Sequence, residues 1–543
     1  MPAPVQNAPT ASESVVRSAG IVSIAVLTSR ITGLLREVVM AKFFGAGMVN
    51  DAFLLGFRIP NLTRDLFAEG ALSSAFVPIF TQTLASKGKK EAAELSNLVA
   101  TAIMIFVGSL CLLGVVFSPV LVNLLASGFH QVPGKFELAV KLTRVMFPFL
   151  LLVALAAQAM GVLNACNRFA VPASASTFFN LGSVGFGLLI GFVLGPSIGL
   201  ERITGMAIGV VLGGALQLFC QIPSLKREGF VFHPAIDWSH PGLQHIIRLM
   251  GPAILGNAAV QINVMVNTNF ASHLPGNGPV SWLSYAFRFM QLPLGIFGVA
   301  IASATLPSIS RSAGLGNMEE FRRTLSRSLG MVFLLTVPSS IGLIVLGQSM
   351  IGAIYQGGKF RAFDTEQTGL ALSCYAVGLA GYSALKVLNP AFYALRDART
   401  PMFVSMGSIF VNYITAYSMM HRTGLGHAGL ALSTSAVAIF GSVVLFLVLS
   451  RRIGGIHGRE IFLSISKVLA ASLVMGAAVW MSSHWIRSWA GVGHAGRLLD
   501  LALSIPLGVV VLYGMCTLLK VSELELATRS ILGPIMRRVS ASR

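Results

Sequence analysis

The sequence predicts an all-α polytopic membrane protein of 14 transmembrane helices, two pseudo-symmetric six-helix lobes followed by two C-terminal helices. Three observations carry this fold class. The chain is 54% hydrophobic and 11% charged, with a mean hydropathy of +0.76, whereas a soluble domain carries about 25% charged residues. Apolar runs close to the ~20 residues that cross a bilayer recur along its whole length. Several short motifs also recur at one fixed offset, as Pro78 and Pro307 do, 229 residues apart.

In chain order, residues 1–17 come first. They are small and polar (Pro2, Pro4, Gln6, Thr10, Ser12, Ser14) and lack the basic start, short apolar core and small-residue cut site of a cleavable signal. They read as a disordered cytoplasmic tail, with the first span as an uncleaved insertion signal. The N-lobe, 18–225, holds spans near 18–44, 50–84, 92–126, 137–166, 170–194 and 203–224. The second of these contains Pro60, which removes a helix hydrogen bond and clashes with the preceding turn, so a kink or break is expected at Pro60–Asn61. The C-lobe, 240–452, holds spans near 243–272, 280–311, 322–353, 367–395, 400–420 and 427–450. Two further spans, near 460–485 and 496–519, fill 459–520, and 521–543 form a second cytoplasmic tail.

Loop charge orients these spans. Lys87, Lys89, Lys90, Lys226, Arg227, Arg311, Arg322, Arg323, Arg396, Arg399, Arg451, Arg452 and Arg459 all fall on one side, with Arg529, Arg537 and Arg538 in the tail. The opposite loops are poorer in cations, with Lys359, Arg361, Arg487 and Arg497 as exceptions. The positive-inside rule puts both termini in the cytoplasm. The repeat extends beyond the prolines: Glu91 and Glu320, Ala165 and Ala394, and Pro172 and Pro401 share the offset, and Arg58 and Arg288 match within one residue. Six helices is an even number, so both halves enter the membrane the same way, as in parallel-repeat transporters whose sites lie between the halves.

The composition also excludes function classes. The net charge of +19 lies mostly in short loops, where it sets topology and meets anionic headgroups, so nucleic acid is not an expected partner. Cys111, Cys166, Cys220, Cys374 and Cys516 are scattered through apolar segments with no C-x-x-C pair and read as small buried hydrophobes, not as metal ligands. There is no G-x-x-x-x-G-K-S/T phosphate loop and no H-E-x-x-H motif, so no catalytic residues, no metal and no cofactor are expected. Gly-rich pieces such as GVVLGG lie within spans and suit close helix packing. Without a nucleotide site, transport would draw on the membrane potential, a monovalent cation or the substrate gradient.

What stands out is embedded arginine. Arg30 and Arg36 lie in the first span, Arg58 and Arg64 in the second, and Arg288 in the eighth. An arginine at the centre of a membrane helix costs about 2.5–3.5 kcal/mol, so four unpaired ones would cost roughly 10–14 kcal/mol. In the first span Ser29, Thr32 and Arg36 fall at i, i+3 and i+7, and Arg30, Gly33 and Glu37 repeat that spacing one residue on, giving one polar stripe. Gly33 leaves room for a ligand or a neighbouring helix. Around Pro60, Asn61 and Thr63 add hydrogen-bonding groups, and Asp65 and Glu69 are candidate arginine partners. Two readings stand side by side: charge-paired packing (Arg36–Glu37, Arg64–Asp65, Arg64–Glu69) with Arg58 snorkelling to the headgroups, or contact with an anion. The surplus of embedded cations favours an anionic ligand at Arg30, Arg36, Arg64 and Arg288, and the planar fork of arginine suits phosphate oxygens.

The run SRITGLLREVVMAKFFGAGMVNDAFLLGFRIPNLTRDLFAEGALSSAFVP resembles the MurJ/MviN family, proposed lipid II flippases of bacterial peptidoglycan synthesis. The pattern S-R-x-x-G-x-x-R followed by an acid, then FGAG, DAF, PNL-x-R and FAEGA-x-S-x-AFVP, occurs in order. SYAFRFMQLPLGIFGVAIASATLP and FYALRDARTP extend the resemblance, which runs from about 18 to 520. It implies the multidrug/oligosaccharidyl-lipid/polysaccharide exporter fold, with two lobes around a cavity and the last two helices forming a lipid-tail groove. It also implies an undecaprenyl-diphosphate-linked disaccharide-pentapeptide, lipid II, as substrate, a place in the bacterial inner membrane, and cell-wall synthesis proteins as further partners. The family arginines implied to hold the diphosphate match Arg30, Arg36, Arg64 and Arg288. Glu37 stands where the family often has Asp, and Asp51 matches the DAF aspartate, with a structural or gating role. Asn267 and Thr268 stand where a sodium-binding acid would be expected, which speaks against sodium coupling. The resulting expectation is alternating access, with a cationic central cavity receiving the diphosphate. The alternatives are an exporter of another lipid-linked oligosaccharide, a cation-coupled drug antiporter of the same fold, whose cavity would be acidic, and a non-transporting scaffold.

Overall fold

A computed structural model of the protein describes residues 11–65, 72–456 and 458–525. Glu69 lies outside the described residues, as do 1–10 of the expected N-terminal tail and 526–543 of the C-terminal one. The chain divides into two compact units, Met1–Gln261 and Ile262–Arg543.

The first unit begins with α1 (Ala11–Phe44), which starts ahead of the expected 18. There follow α2 (Met48–Arg64), α3 (Ser73–Ser86), α4 (Lys89–Val116), α5 (Ser118–Ala126), α6 (Lys135–Met146) and α7 (Pro148–Ala165). Next come α8 (Ala170–Leu188), α9 (Arg202–Phe219), α10 (Ile222–Arg227) and the first part of α11 (Pro241–Ser272). The expected break at Pro60 is a correction: α2 runs through it to Arg64. Only the proline's own N–H is missing there, and Asn61 Nδ2 donates to the Phe57 carbonyl at 2.7 Å, adding a bond across the same turn.

Helices α8 and α9 meet through glycine. A Cβ on Gly209 would lie 2.5 Å from the Gly187 Cα, and one on Gly213 would lie 2.7 Å from the Phe179 carbonyl oxygen. Any side chain there would push the pair apart, which is the close packing expected of the GVVLGG run. The segment after α10 packs back on its own unit. Phe230 joins the core of Phe76, Phe80, Leu95 and Leu150. The His233 N–H donates to Asn97 Oδ1 at 3.3 Å and the Ala235 N–H to Thr101 Oγ1 at 3.2 Å. The division between the two compact units falls inside α11.

The second unit continues with α12 (Pro279–Pro293), α13 (Ala300–Gly314), α14 (Met318–Ile354), α15 (Ala362–Val377) and α16 (Leu379–Ala394). It ends with α17 (Arg399–Arg422), α18 (Gly426–Arg452), α19 (Gly458–Ala490) and α20 (His494–Leu518). Between α15 and α16 the axis bends by 43°. Ser435 serves the freed backbone: its Oγ accepts from the Gly378 N–H at 3.1 Å and donates to the Cys374 carbonyl at 2.7 Å. Asp500 of α20 is fully buried and gathers hydroxyl donors from Ser349 at 2.5 Å, Ser483 at 2.8 Å and Ser504 at 3.0 Å, tying the final helix pair to α14.

Helical segments lie on each expected span. Among the described residues, nine helices are long and apolar enough to cross a membrane, or ten if α15 and α16 form one bent span, where fourteen are expected. Helix α17 is not among them: Ser405, Ser408, Asn412 and Thr415 interrupt its apolar run.

The repeat is visible in backbone detail. The turn after α7 has Asn167 at φ 60°, and the turn after α16 has Arg396 at φ 58°. The Arg168 N–H donates to the Leu163 carbonyl at 2.8 Å, and the Asp397 N–H donates to the Phe392 carbonyl at 3.0 Å. Each partner stands 229 residues after its counterpart, and both turns close helices in the left-handed manner of a Schellman cap.

Candidate functional site

Within the first unit, α1, α2, α7 and α8 build a cradle around one of the embedded arginines. Asn180 of α8 reaches α1, where its Nδ2 donates to the Ser29 carbonyl at 3.1 Å and to Thr32 Oγ1 at 3.4 Å. Gly33 permits this: a Cβ there would already touch Asn180 Nδ2 at 3.4 Å. The room at Gly33 is therefore taken by a neighbouring helix. One helical turn further on, Arg36 is half-buried with its Cζ over two rings, 5.3 Å from the centroid of Phe57 on α2 and 5.3 Å from that of Phe179 on α8. Both distances are within the ~6 Å of a cation–π contact. The two rings are nearly parallel, 8° apart in plane with centroids 6.5 Å apart. Phe149 of α7 backs both, at 5.7 Å from Phe57 and 5.2 Å from Phe179, and is itself 1% exposed.

The other predicted residues are placed as follows. Arg30 is exposed on α1, while Glu37, Arg58 and Asn61 are half-buried. Arg64 binds Asp65, from Nε at 3.1 Å and from Nη2 at 2.8 Å to the same Oδ1, so the charge-paired arrangement is realised there. Arg288 is exposed on α12 of the second unit. Asp51 is fully buried near the start of α2 and pairs with Lys135 Nζ at 2.8 Å, a side chain only 4% exposed. Lys135 also lies 4.4 Å from the Phe129 ring centroid. At the seventh-span position, Asn267 Nδ2 donates to Thr434 Oγ1 at 2.9 Å and Thr268 Oγ1 to the Val264 carbonyl at 2.6 Å. Among the described residues no group of three or more His, Cys, Asp or Glu could hold a metal ion.

Sequence reasoning missed Phe57, Phe179, Asn180 and Lys135. Phenylalanine in a span is indistinguishable from ordinary lipid-facing or core residue by pattern. Asn180 did carry a signal, as a lone amide in an apolar run, and a buried Asp51 requires a cation, but its partner lies 84 residues away in sequence. The arrangement can hold a guanidinium at fixed orientation among aromatic rings, where low polarity strengthens its attraction for an anion.

The sequence matches the family described as "Lipid II flippase MurJ" over residues 40–498. A relative named "Lipid II flippase MurJ" from Burkholderia cenocepacia is 33% identical over 498 residues, covering 90% of this chain and 94% of that protein. A "Probable lipid II flippase MurJ" from Vibrio cholerae serotype O1 is 33% identical over 534 residues, covering 96% and 99%. Among solved structures, "Lipid II flippase MurJ, inward closed conformation" superposes with a TM-score of 0.74 at 25% identity, covering 91% of this chain and 98% of that one. A multidrug resistance MATE family transporter of the MOP superfamily, in its inward-facing conformation, gives a TM-score of 0.61 at 16% identity, covering 80% and 94%, a likeness of fold.

Proposed function

The chain belongs to the lipid II flippase MurJ family, and from that premise we propose that it moves lipid II from the cytoplasmic to the periplasmic leaflet by alternating access. It is a multi-pass membrane transporter, not an enzyme, and its setting is peptidoglycan synthesis at the bacterial inner membrane. Family membership along nearly the whole chain is the observation that carries this reading.

The finer mechanism rests on charge. Carrying a diphosphate bare through hydrocarbon is prohibitive, because isolated ions pay tens of kcal/mol by Born solvation in a medium of low dielectric. Arg30, Arg36, Arg64 and Arg288 make the route polar, with their guanidinium groups replacing water around the phosphates. Ser29, Gly33, Glu37, Asp51, Arg58, Asn61 and Asp65 support or gate that route. The cradle around Arg36 supports its assignment to the diphosphate. With both termini in the cytoplasm, as the loop cations favour, an inside-negative potential draws the emptied cationic cavity back toward the cytoplasm, by ~2.3 kcal/mol per charge moved through 100 mV. No metal or cofactor takes part in this scheme.

The test is translocation of labelled lipid II in reconstituted vesicles. Losing charge-assisted hydrogen bonds of about 1.5–3 kcal/mol in total should slow the Arg36→Ala protein roughly 10- to 100-fold. Wild-type flipping by that variant would remove Arg36 from the mechanism. Flipping indifferent to a collapsed membrane potential would remove the proposed return step.

A further inference from the structure

We propose that Phe57 and Phe179 are positioning residues for substrate recognition: together they fix the Arg36 guanidinium in the orientation in which it meets a phosphate. The inference deepens the reading of Arg36 as a diphosphate ligand and rests on it.

Three observations carry the argument. The first is the double contact, with Cζ over both rings at the same 5.3 Å. Aromatic faces are negative and attract a guanidinium placed over them.

The second is that the rings are themselves immobilised. Phe179 is 8% exposed, and Phe149, 1% exposed, wedges against both rings. Phe149 fits because residue 214 is glycine: a Cβ there would stand 2.8 Å from the Phe149 ring. The third is the neighbouring tie. Asn180 follows Phe179 directly, and its bonds to Ser29 and Thr32 fix α8 against α1 on the turn before Arg36. The cradle and the arginine it holds are thus registered by the same helix pair.

Arginine carries about 2 kcal/mol of rotamer entropy. A side chain already held in place surrenders less of it on binding, so the cradle acts on affinity for the anion more than on the later steps of transport. The same rings shield the guanidinium from water on two sides, and that strengthens its attraction for a doubly charged headgroup.

The experiment uses the full chain in vesicles with labelled lipid II and separates apparent KM from kcat. Phe57→Leu and Phe179→Leu keep an apolar side chain of similar reach but remove the ring face, and Phe57→Tyr keeps that face. The leucine variants should raise apparent KM about 2- to 30-fold, with kcat changed by less than about 2-fold and the melting temperature retained. Phe57→Tyr should restore the wild-type apparent KM. Leucine variants with wild-type KM, alongside an impaired Arg36→Ala protein, would overturn the cradle and leave the diphosphate reading standing. An unimpaired Arg36→Ala protein would overturn that reading first. Equal losses in leucine and tyrosine variants, with lowered melting temperatures, would reduce the rings to packing and also sink the inference.

Discussion

The two units place opposite charges at matching positions, and each charge is tied to a partner of different chemistry. In the first, Lys135 at the start of α6 binds Asp51 of α2 through a fully buried ion pair. The residue 229 positions after Lys135 is Asp364, near the start of α15. It accepts from Trp282 Nε1 of α12 at 3.0 Å and caps its own helix by accepting from the Arg361 N–H at 2.9 Å. A cation has become an anion, and an ion pair has become a neutral donor on a carboxylate. The turns after α7 and α16 repeat the exchange. Arg168 Nε binds Glu228 at 2.7 Å, whereas at the matching turn Asp397 is the acid and Arg452 the base. Backbone geometry and one end of each tie are shared between the repeats, and the sign of charge is not. The physical reason is that a tie needs complementarity between two side chains, which either polarity supplies, while the left-handed turn and the buried apolar positions admit few substitutes.

The sharpest way to break this comparison is to remove one partner from each buried tie. Lys135→Met strands a fully buried Asp51, and breaking such a pair costs about 3–5 kcal/mol. Trp282→Phe removes one hydrogen bond from Asp364, which keeps its cap, so the loss should be about 1–3 kcal/mol. Thermal unfolding in one detergent should therefore rank Lys135→Met well below Trp282→Phe. The paired change Asp51→Asn with Lys135→Met should recover part of the deficit, because no unpartnered charge remains. Equal melting temperatures for the two single variants would mean that the two ties carry the same weight despite their chemistry.

The legibility of the sequence follows the same division. Helical segments, the repeat offset and the polar stripe on α1 all rest on periodicity and on glycine and proline, which act locally, so they could be read from the chain. The helix is unbroken at Pro60 because one proline removes one hydrogen bond, and Asn61 beside it adds another. Nothing local in the chain reveals that Phe230 and the backbone at His233 and Ala235 pack back onto the first unit. The cradle around Arg36 was illegible for the same reason: Phe57 and Phe179 look like every other phenylalanine in a span until α2 and α8 are brought together. Charged residues stand out in an apolar span, but the residues packed around them do not.

The turn after α16 should respond to acid. Hydrogen bonds from the Thr400 hydroxyl and backbone, with Arg452 adding its charge, hold the Asp397 carboxyl below its ordinary range. A depressed carboxyl contributes stability above its unfolded pKa and loses it as pH falls through the lower folded value. Wild-type protein should therefore lose part of its melting temperature as pH falls below the usual carboxylate range, and Asp397→Asn should start lower and change less over that window. An unchanged acid slope in the Asn variant would place the acid sensitivity elsewhere.

The smallest effect should come from reversing the first unit's turn. Arg168 is 66% exposed and Glu228 is 23% exposed, and exposed pairs contribute about 0–1 kcal/mol. If the repeat tolerates either polarity, as Asp397 with Arg452 implies, then Arg168→Asp with Glu228→Arg should fold and flip lipid II as the wild type does. The reversal would give the first turn the polarity of the second. Each single reversal brings like charges together and should cost a few tenths of a kcal/mol, more at low salt than at high, because screening acts fully on groups this open. A double reversal as damaging as the singles would show that Arg168 serves something other than its tie to Glu228, and the sign exchange between the turns would then mark a difference in role.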